Sequence, residues 1–135
     1  MRAIKLSLKV FVMFALAGQF GIPVLNAQQP GVKRVELQRA DLSIAGREVV
    51  VVRAAFDADG FIGRHTHPGE ESSYLLEGRM QLEIDGKAPL ILNAGDAFMI
   101  PAGVVHAAKN IGKTPATVLA TYIVEKGKPL VTPAK

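Results

Sequence analysis

The three histidines of this chain are the residues whose type and spacing indicate chemistry. His65 and His67 stand two apart, and His106 follows further along the chain. Residues two apart on an extended strand point to the same face, so His65 and His67 could bind one ion together. Imidazole is the commonest metal ligand in proteins, and a nearby carboxylate would complete a site of nitrogen and oxygen donors. The pattern therefore predicts a metal centre.

The elements that must position these side chains have the patterns of short strands. Residues 47–56 are apolar and β-branched on both faces, which predicts a strand buried on both sides. Residues 79–84 alternate, and the Asp-Gly pair after them predicts a hairpin with a return strand at 87–92. Pro89 places that return strand at a sheet edge or a bulge. Further strands are predicted at 35–37, 74–76, 97–100, 104–108 and 117–124. The tail at 126–135 is predicted to be the end of a strand followed by a loose terminus.

The spacing of these segments decides the fold class. Many short strands, separated by clusters of Gly, Pro, Asn or Asp, favour an antiparallel sandwich or barrel over alternating strand and helix units. The chain contains no cysteine. Its stability must therefore come from apolar packing, subunit association or a bound ion, and we expect an all-β domain without disulfides.

The N-terminus has the layout of a secretory signal peptide. Positive residues precede an apolar run at 10–17, and a helix-breaking stretch then leads to Ala27. The run is shorter than the roughly 20 apolar residues that span a bilayer, which disfavours a retained anchor. We therefore predict a signal peptide at 1–27 and a mature domain at 28–135. The mature domain would be periplasmic or secreted, without membrane association after cleavage.

Most of the net positive charge of the chain lies in this predicted signal peptide. Its removal takes away three positive charges and no negative one, so the net charge falls from +4 to +1. A domain with so small a net charge gives no support for nucleic-acid binding, and we expect no nucleic-acid partner.

Two motifs in the chain resemble those of the cupins, which are small β-barrel or jelly-roll proteins. The first cupin motif is His-x-His, three or four residues, Glu, six residues, Gly. Here the paired histidines are followed at that spacing by Glu71 and Gly78. The second motif is Gly, five residues, Pro-x-Gly, two residues, His, three residues, Asn, and it is matched in full by Gly95, Pro101, Gly103, His106 and Asn110. One position departs: the opening glycine of the first motif falls at Asp59, and the chain has Gly60 instead.

This resemblance implies a ligand set for one ion inside a cupin-type jelly-roll β-barrel: His65, His67, Glu71 and His106. Motif spacing, together with the shared parity of positions 65, 67 and 71, favours Glu71 over Glu70. Three imidazoles and one carboxylate suit divalent Fe, Mn, Ni, Cu, Co or Zn, and they do not suit Ca or Mg. Four protein ligands on a six-coordinate ion leave two positions for water or a substrate. We therefore expect one divalent transition metal per chain and a small-molecule ligand.

The remaining notable residues have structural interpretations. The motif glycines and Pro101 are expected to shape turns and bends, and Asn110 to stabilise a turn through its side chain. Four larger side chains could line a cavity, but packing in the core or an interface is favoured for them: Tyr74, Phe98, Met99 and Tyr122. Arg53 and Arg64 could hold an anionic substrate, but surface positions are favoured.

The leading functional hypothesis is an exported metalloenzyme of dioxygenase- or decarboxylase-like type, acting on an oxygen-rich organic molecule. Glu71 could also leave the metal and act as a base. The alternative is a non-catalytic module that binds metal or a small molecule, because no further histidine is present to move protons. A metal-free storage barrel is disfavoured because all four ligands are present. Exposed sheet edges need covering, so we expect a homodimer, paired or swapped through residues 28–42.

Overall fold

The computed structural model describes residues 29–135, and every regular element in that range is a β-strand. The predicted signal peptide at 1–27 lies outside the described residues. No helix of residues 29–135 could cross a membrane. The strands, in chain order, are β1 (Val32–Asp41), β2 (Arg47–Phe56), β3 (Phe61–Thr66), β4 (Gly69–Glu77), β5 (Arg79–Ile84), β6 (Leu90–Asn93), β7 (Ala97–Ile100), β8 (His106–Asn110), β9 (Ala116–Glu125) and β10 (Thr132–Pro133).

The strands form two five-stranded antiparallel sheets, which confirms the all-β class. One sheet has the order β1-β2-β9-β4-β7, and the other has the order β10-β3-β8-β5-β6. From β2 to β5 the chain changes sheet at every connection, so the two faces of one core are built from interleaved segments. The expectation of a closed barrel is not met, because no strand of one sheet pairs through a backbone ladder with a strand of the other among residues 29–135. Three of the four edge strands are short: β6 and β7 have four residues each and β10 has two.

The core lies between the sheets and follows the alternation of each strand. Met80, Leu82 and Ile84 of β5 are buried, as their spacing predicts. β2 has its predicted bounds, but only one of its faces is fully buried: Val50, Val52, Ala54 and Phe56. Its other face is half-buried or exposed, because no further layer of the described residues covers that side of the sheet.

The hairpin after β5 is wider than the sequence predicts. The turn lies at Asp85-Gly86, and Gly86 has a φ of 78°. The return strand β6 begins at Leu90 instead of residue 87, because Pro89 has no N–H to donate to a ladder. β6 is an edge strand of its sheet, as Pro89 predicts.

The other predicted strands are all present, with different ends. β7 has the predicted bounds, β1, β4 and β9 extend beyond theirs, and β8 begins two residues later at His106. β3 is absent from the predicted strands, since Gly63 and Arg64 interrupt its apolar pattern. The tail is also less loose than expected, because Thr132 and Pro133 pair with β3 and Leu130 packs against the core.

The turn before β3 explains the departure from the cupin motif. Asp59 has a φ of 60°, and it is the one residue other than glycine with positive φ between residues 29 and 135. Aspartate tolerates this left-handed conformation better than most side chains. At Gly60, a Cβ atom would clash with the carbonyl oxygen of Gly31. Aspartate therefore occupies the left-handed position, and the glycine serves a close backbone approach.

Candidate metal centre

His65 faces the interior because β3 contains a bulge. The pairing of β3 with β8 is irregular between Ile62 and His65, with Gly63 and Arg64 in between. In a regular strand, inward positions alternate, and Arg64 would be the next inward residue after Ile62. Instead, Ile62 and His65 are both buried and Arg64 is exposed. The extra residue therefore turns His65 into the space between the sheets.

The three histidines meet in that space. His106 is the direct cross-strand partner of His65, and their ring centroids are 4.2 Å apart. His67 follows the end of β3, and its ring centroid lies 4.8 Å from that of His65 and 5.0 Å from that of His106. All three side chains are buried, and each offers a ring nitrogen within 4.8 Å of those of the other two. Together they could hold one metal ion.

Backbone carbonyl groups fix the protonation of each imidazole ring. The Nδ1-to-oxygen distances are 2.7 Å from His65 to Gly63, 2.9 Å from His106 to Val104, and 2.6 Å from His67 to Leu130. A carbonyl oxygen only accepts hydrogen bonds, so each Nδ1–H donates and the proton of the neutral ring is on Nδ1. Each Nε2 is then left with a free lone pair, which is the form that binds a metal.

Two of these Nε2 atoms have no hydrogen-bond partner among residues 29–135, although they are buried: those of His67 and His106. Both face the same carboxylate oxygen. Oε2 of Glu71 lies 3.0 Å from Nε2 of His67 and 3.4 Å from Nε2 of His106. With the ring protons on Nδ1, three atoms with lone pairs face one another, and such acceptors repel unless a proton or a cation lies between them. The residues therefore fit a metal ion.

Glu71, and not Glu70, faces the histidines because of the alternation of β4. Glu71, Ser73 and Leu75 are buried, whereas Glu70 is exposed. The parity of positions 65, 67 and 71 does not account for this, since β3 and β4 belong to different sheets. The Ser73 hydroxyl donates to Oε1 of Glu71 at 2.6 Å, which leaves Oε2 facing the imidazoles. Ser73 is a positioning residue that the sequence does not identify.

Electrostatics keep these groups in the forms that bind metals. Burial lowers the pKa of His65 from 6.5 to about 4, so its imidazole is neutral at pH 7. Burial by itself would raise the pKa of Glu71, whereas an N–H on Nε2 of His106 or His67, when that nitrogen is protonated, and the Ser73 hydroxyl lower the pKa below its usual value. A neutral imidazole and an ionised carboxylate need to lose no proton before they bind a metal ion.

A cavity between the sheets adjoins the histidines, and we call it the inter-sheet cavity. The centre of a water-sized sphere can occupy about 40 Å³ of it, which is room for a few heavy atoms. Its polar lining consists of His65, His106, Glu71, Tyr122 and Arg34. The rest is apolar and includes Phe98.

The structure shows which of the candidate cavity residues line the inter-sheet cavity and which are exposed. Tyr122 belongs to the buried core and also lines the inter-sheet cavity, whereas Tyr74 and Met99 are exposed on the outer face of their sheet. Arg53 and Arg64 lie on the surface, as favoured. The sequence does not identify Arg34 as a cavity residue, and the one available signal was its position two residues after the apolar Val32.

Asn110 has the structural role expected from the sequence. It is fully buried, and its amide nitrogen donates to the carbonyl oxygens of Thr114 and Asp57 at 2.8 and 3.0 Å. Its amide oxygen accepts from the N–H of Gly112 at 2.9 Å. Asn110 thus ties the turn after β8 to the end of β2. The motif glycines at 78, 95 and 103 all have positive φ, as turn glycines do.

Comparison with known proteins assigns the family. The family profile described as "Cupin domain" matches residues 52–132, a range that holds all four predicted ligands. The chain therefore belongs to the cupin family, which confirms the resemblance seen in its motifs.

A curated relative and two solved structures show how far the similarity extends. Germin-like protein 2-4 of Oryza sativa subsp. japonica is 32% identical over 112 residues, covering 78% of this chain and 43% of that protein. The chain spans less than half the length of the curated relatives it matches. A conserved protein with a double-stranded beta-helix domain from Klebsiella pneumoniae has a TM-score of 0.65 at 20% identity, covering 82% of this chain and 87% of that chain. Oxalate oxidase in complex with glycolate has a TM-score of 0.62 at 24% identity, covering 79% and 57%. At these identities, the two structures show a shared fold.

Proposed function

We propose that this protein binds one divalent transition-metal ion through Nε2 of His65, His67 and His106 and the carboxylate of Glu71. The observation that carries the proposal is the convergence of three buried imidazoles on the Glu71 carboxylate, whose Oε2 lies 3.0 Å and 3.4 Å from the otherwise unpartnered Nε2 atoms of His67 and His106. Imidazole and carboxylate donors favour Fe, Mn, Ni, Cu, Co or Zn over Ca or Mg. Both partners of each contact are buried, so solvent does not relieve their repulsion.

We also propose that the protein is a metalloenzyme of dioxygenase- or decarboxylase-like type, acting on a small oxygen-rich organic molecule. An ion of this class supplies Lewis-acid or oxygen chemistry at the positions that the protein leaves open. Support comes from the inter-sheet cavity, which borders His65, His106 and Glu71 and has mostly apolar walls. Oxalate oxidase, which shares the fold, has been seen with glycolate, a molecule of that size and chemistry.

Within this site, the chain itself provides few groups that can move a proton. Oε2 of Glu71 is the carboxylate atom that faces the histidines. When Glu71 is not bound to the ion, this oxygen is the proton acceptor that we assign. The Tyr122 hydroxyl borders the same space and stays protonated, because burial and then the Glu71 charge raise its pKa. Tyr122 therefore acts as a neutral hydroxyl towards a ligand.

The second candidate function is a non-catalytic module that binds metal or a small molecule in the same cavity. It is favoured by the scarcity of acid–base groups around the centre. Besides Glu71, the carboxylates within the two motif stretches are Glu70, Glu77 and Asp96, and all three are exposed. A catalytic cycle that needs two proton-transfer groups would then depend on Glu71 and Tyr122 alone.

Elemental analysis of the purified protein tests the metal site. We expect about one transition-metal ion per chain, and a sharp loss in His65→Ala and in His106→Ala, since each removes a ligand. Unchanged metal content in both variants would refute the site. Oxygen consumption by the metal-loaded protein with catechols, flavonols, β-diketones and organic acids then separates enzyme from binding module. Stoichiometric metal without turnover across that panel favours the binding module.

We further propose export through the leader at 1–27 and association as a homodimer. The support for a dimer is β1, a ten-residue strand at the edge of its sheet, where backbone groups are open to another strand. Light scattering at micromolar concentration tests the dimer, and a monomer there contradicts it. The mass of the protein recovered from cells tests cleavage after Ala27.

A further inference from the structure

Arg34 is the one arginine of the described residues that lines the inter-sheet cavity. It lies on β1, directly opposite the buried Ala54 of β2, and two residues after the buried Val32. Its own side chain is half-buried. Because Val32 and Ala54 face the core, this part of β1 directs Arg34 towards the interior and not towards the outer face of the sheet.

The charge of Arg34 has no counter-charge within the part of the chain that the structure describes. Arg39 and Arg64 pair with Glu36 and Asp85, but no carboxylate pairs with Arg34 among residues 29–135. Residues 1–28 contain neither Asp nor Glu. A guanidinium group keeps its proton in a protein, and a charge beside apolar walls is stabilised by an anion.

Arg34, His65, His106 and Tyr122 all line the inter-sheet cavity. The ring centroid of Tyr122 is 4.6 Å from that of His67. The pKa of Tyr122 is raised first by burial and then by Glu71, while the positive charge of Arg34 opposes the rise. The hydroxyl therefore lies within the electrostatic reach of both the Glu71 carboxylate and the Arg34 guanidinium.

We infer that Arg34 binds the carboxylate of a small substrate whose second oxygen group is directed to the centre formed by His65, His67 and His106. The substrate class is a hydroxy- or oxo-carboxylate of a few heavy atoms, as the size of the cavity requires. A guanidinium presents its N–H groups in a planar fork that matches both oxygens of a carboxylate. This assignment rests on the proposed function, because the metal provides the second anchor.

Charge supports the same class of substrate. A divalent ion bound by three neutral imidazoles and one carboxylate retains a net positive charge, and Arg34 adds another at the same cavity. Apolar walls of low dielectric strengthen the attraction of such a site for an anion. Neutral molecules of equal size gain less from these two charges than an anion does, so the site discriminates by charge as well as by shape.

The test is a calorimetric titration of the metal-loaded protein with glycolate and with its neutral analogue glycolamide. We expect the wild type to bind glycolate and to bind glycolamide much more weakly. Arg34→Gln is expected to weaken glycolate binding by about tenfold to a hundredfold, as the loss of a charge-assisted pair does. Arg53→Gln is the matched control, since it removes the same charge from the outer face of the adjacent strand β2. Its affinity for glycolate should equal that of the wild type.

The outcomes distinguish this inference from the proposed function. A wild type without stoichiometric metal overturns both. Stoichiometric metal in wild type and Arg34→Gln, with equal affinity for glycolate, overturns only the role of Arg34. Equal affinity for glycolate and glycolamide, or binding of neither, overturns the carboxylate class. If Arg34→Gln does not fold, Arg34→Lys serves instead: it keeps the charge and loses the fork, and an affinity equal to that of the wild type would contradict the assignment.

Discussion

His65 of β3 and His106 of β8 are direct cross-strand partners, and the centroids of their rings lie 4.2 Å apart. They meet because the bulge at Gly63 and Arg64 adds one residue to β3 and turns His65 inward. One of the two histidines comes from each cupin motif. The strand pairing of β3 with β8 therefore brings together one histidine of each motif at the centre.

Glu71→Gln should lower the metal content well below one ion per chain. The carboxylate of Glu71 is the one negatively charged group among the four ligands. The amide removes that charge and is a poorer metal ligand. Elemental analysis after dialysis measures the effect. Glu70→Gln is the matched control, because Glu70 is the exposed neighbour on the same strand. Metal loss in Glu70→Gln with full content in Glu71→Gln would reverse the assignment.

Ser73→Ala should weaken metal binding by about tenfold to a hundredfold, without removing a ligand. The Ser73 hydroxyl donates to Oε1 of Glu71 at 2.6 Å, and its loss frees the carboxylate to rotate away from the histidines. Competition with a chelator gives the affinity. Ser72→Ala, on the exposed face of the same strand, should bind metal as the wild type does. Equal affinities in the two variants would mean that Ser73 does not position Glu71.

Truncation before residue 129 should weaken metal binding. The removed segment contains the Leu130 carbonyl, which accepts from Nδ1 of His67 at 2.6 Å, and the strand β10 that pairs with β3. Leu130→Ala is the control, since it shortens the side chain and keeps the carbonyl. We expect Leu130→Ala to lower thermal stability while it retains the metal. Full metal affinity in the truncated protein would show that the tail does not orient His67.

The metal-free protein should lose stability as the pH falls from about 6.5 to about 4. The pKa of His65 is lowered from 6.5 to about 4 by burial, so in this range the unfolded chain takes up a proton that the folded chain does not. Stability from this group is therefore complete above pH 6.5 and lost by about pH 4. The change corresponds to roughly 3 kcal/mol at most. Thermal melts of wild type and His65→Gln measure it, and a parallel pH dependence in both would exclude His65 as the source.

The alternation of buried and exposed residues along strands and the two cupin motifs could be predicted from the sequence, because both involve residues close together along the chain. β2, β5 and β7 have their predicted bounds, and the buried residues of β5 follow its period of two. Glu71 also lies where its motif places it, on the inward face of β4. The longer return to β6 and the open edges between the two sheets were not predicted. Both features depend on which strands pair with one another, and the sequence of a single segment does not specify its pairing partner.

The sequence by itself determined the all-β class, the cupin family and the four side chains that meet at the centre. The tertiary structure decided how they meet. The bulge that turns His65 inward, the hydroxyl of Ser73, the Leu130 carbonyl and the position of Arg34 in the cavity all involve residues that touch only after the sheets have packed. Spacing along a chain records which side chains share a strand face. Contacts between strands that are far apart in sequence arise from packing, and no local pattern encodes them.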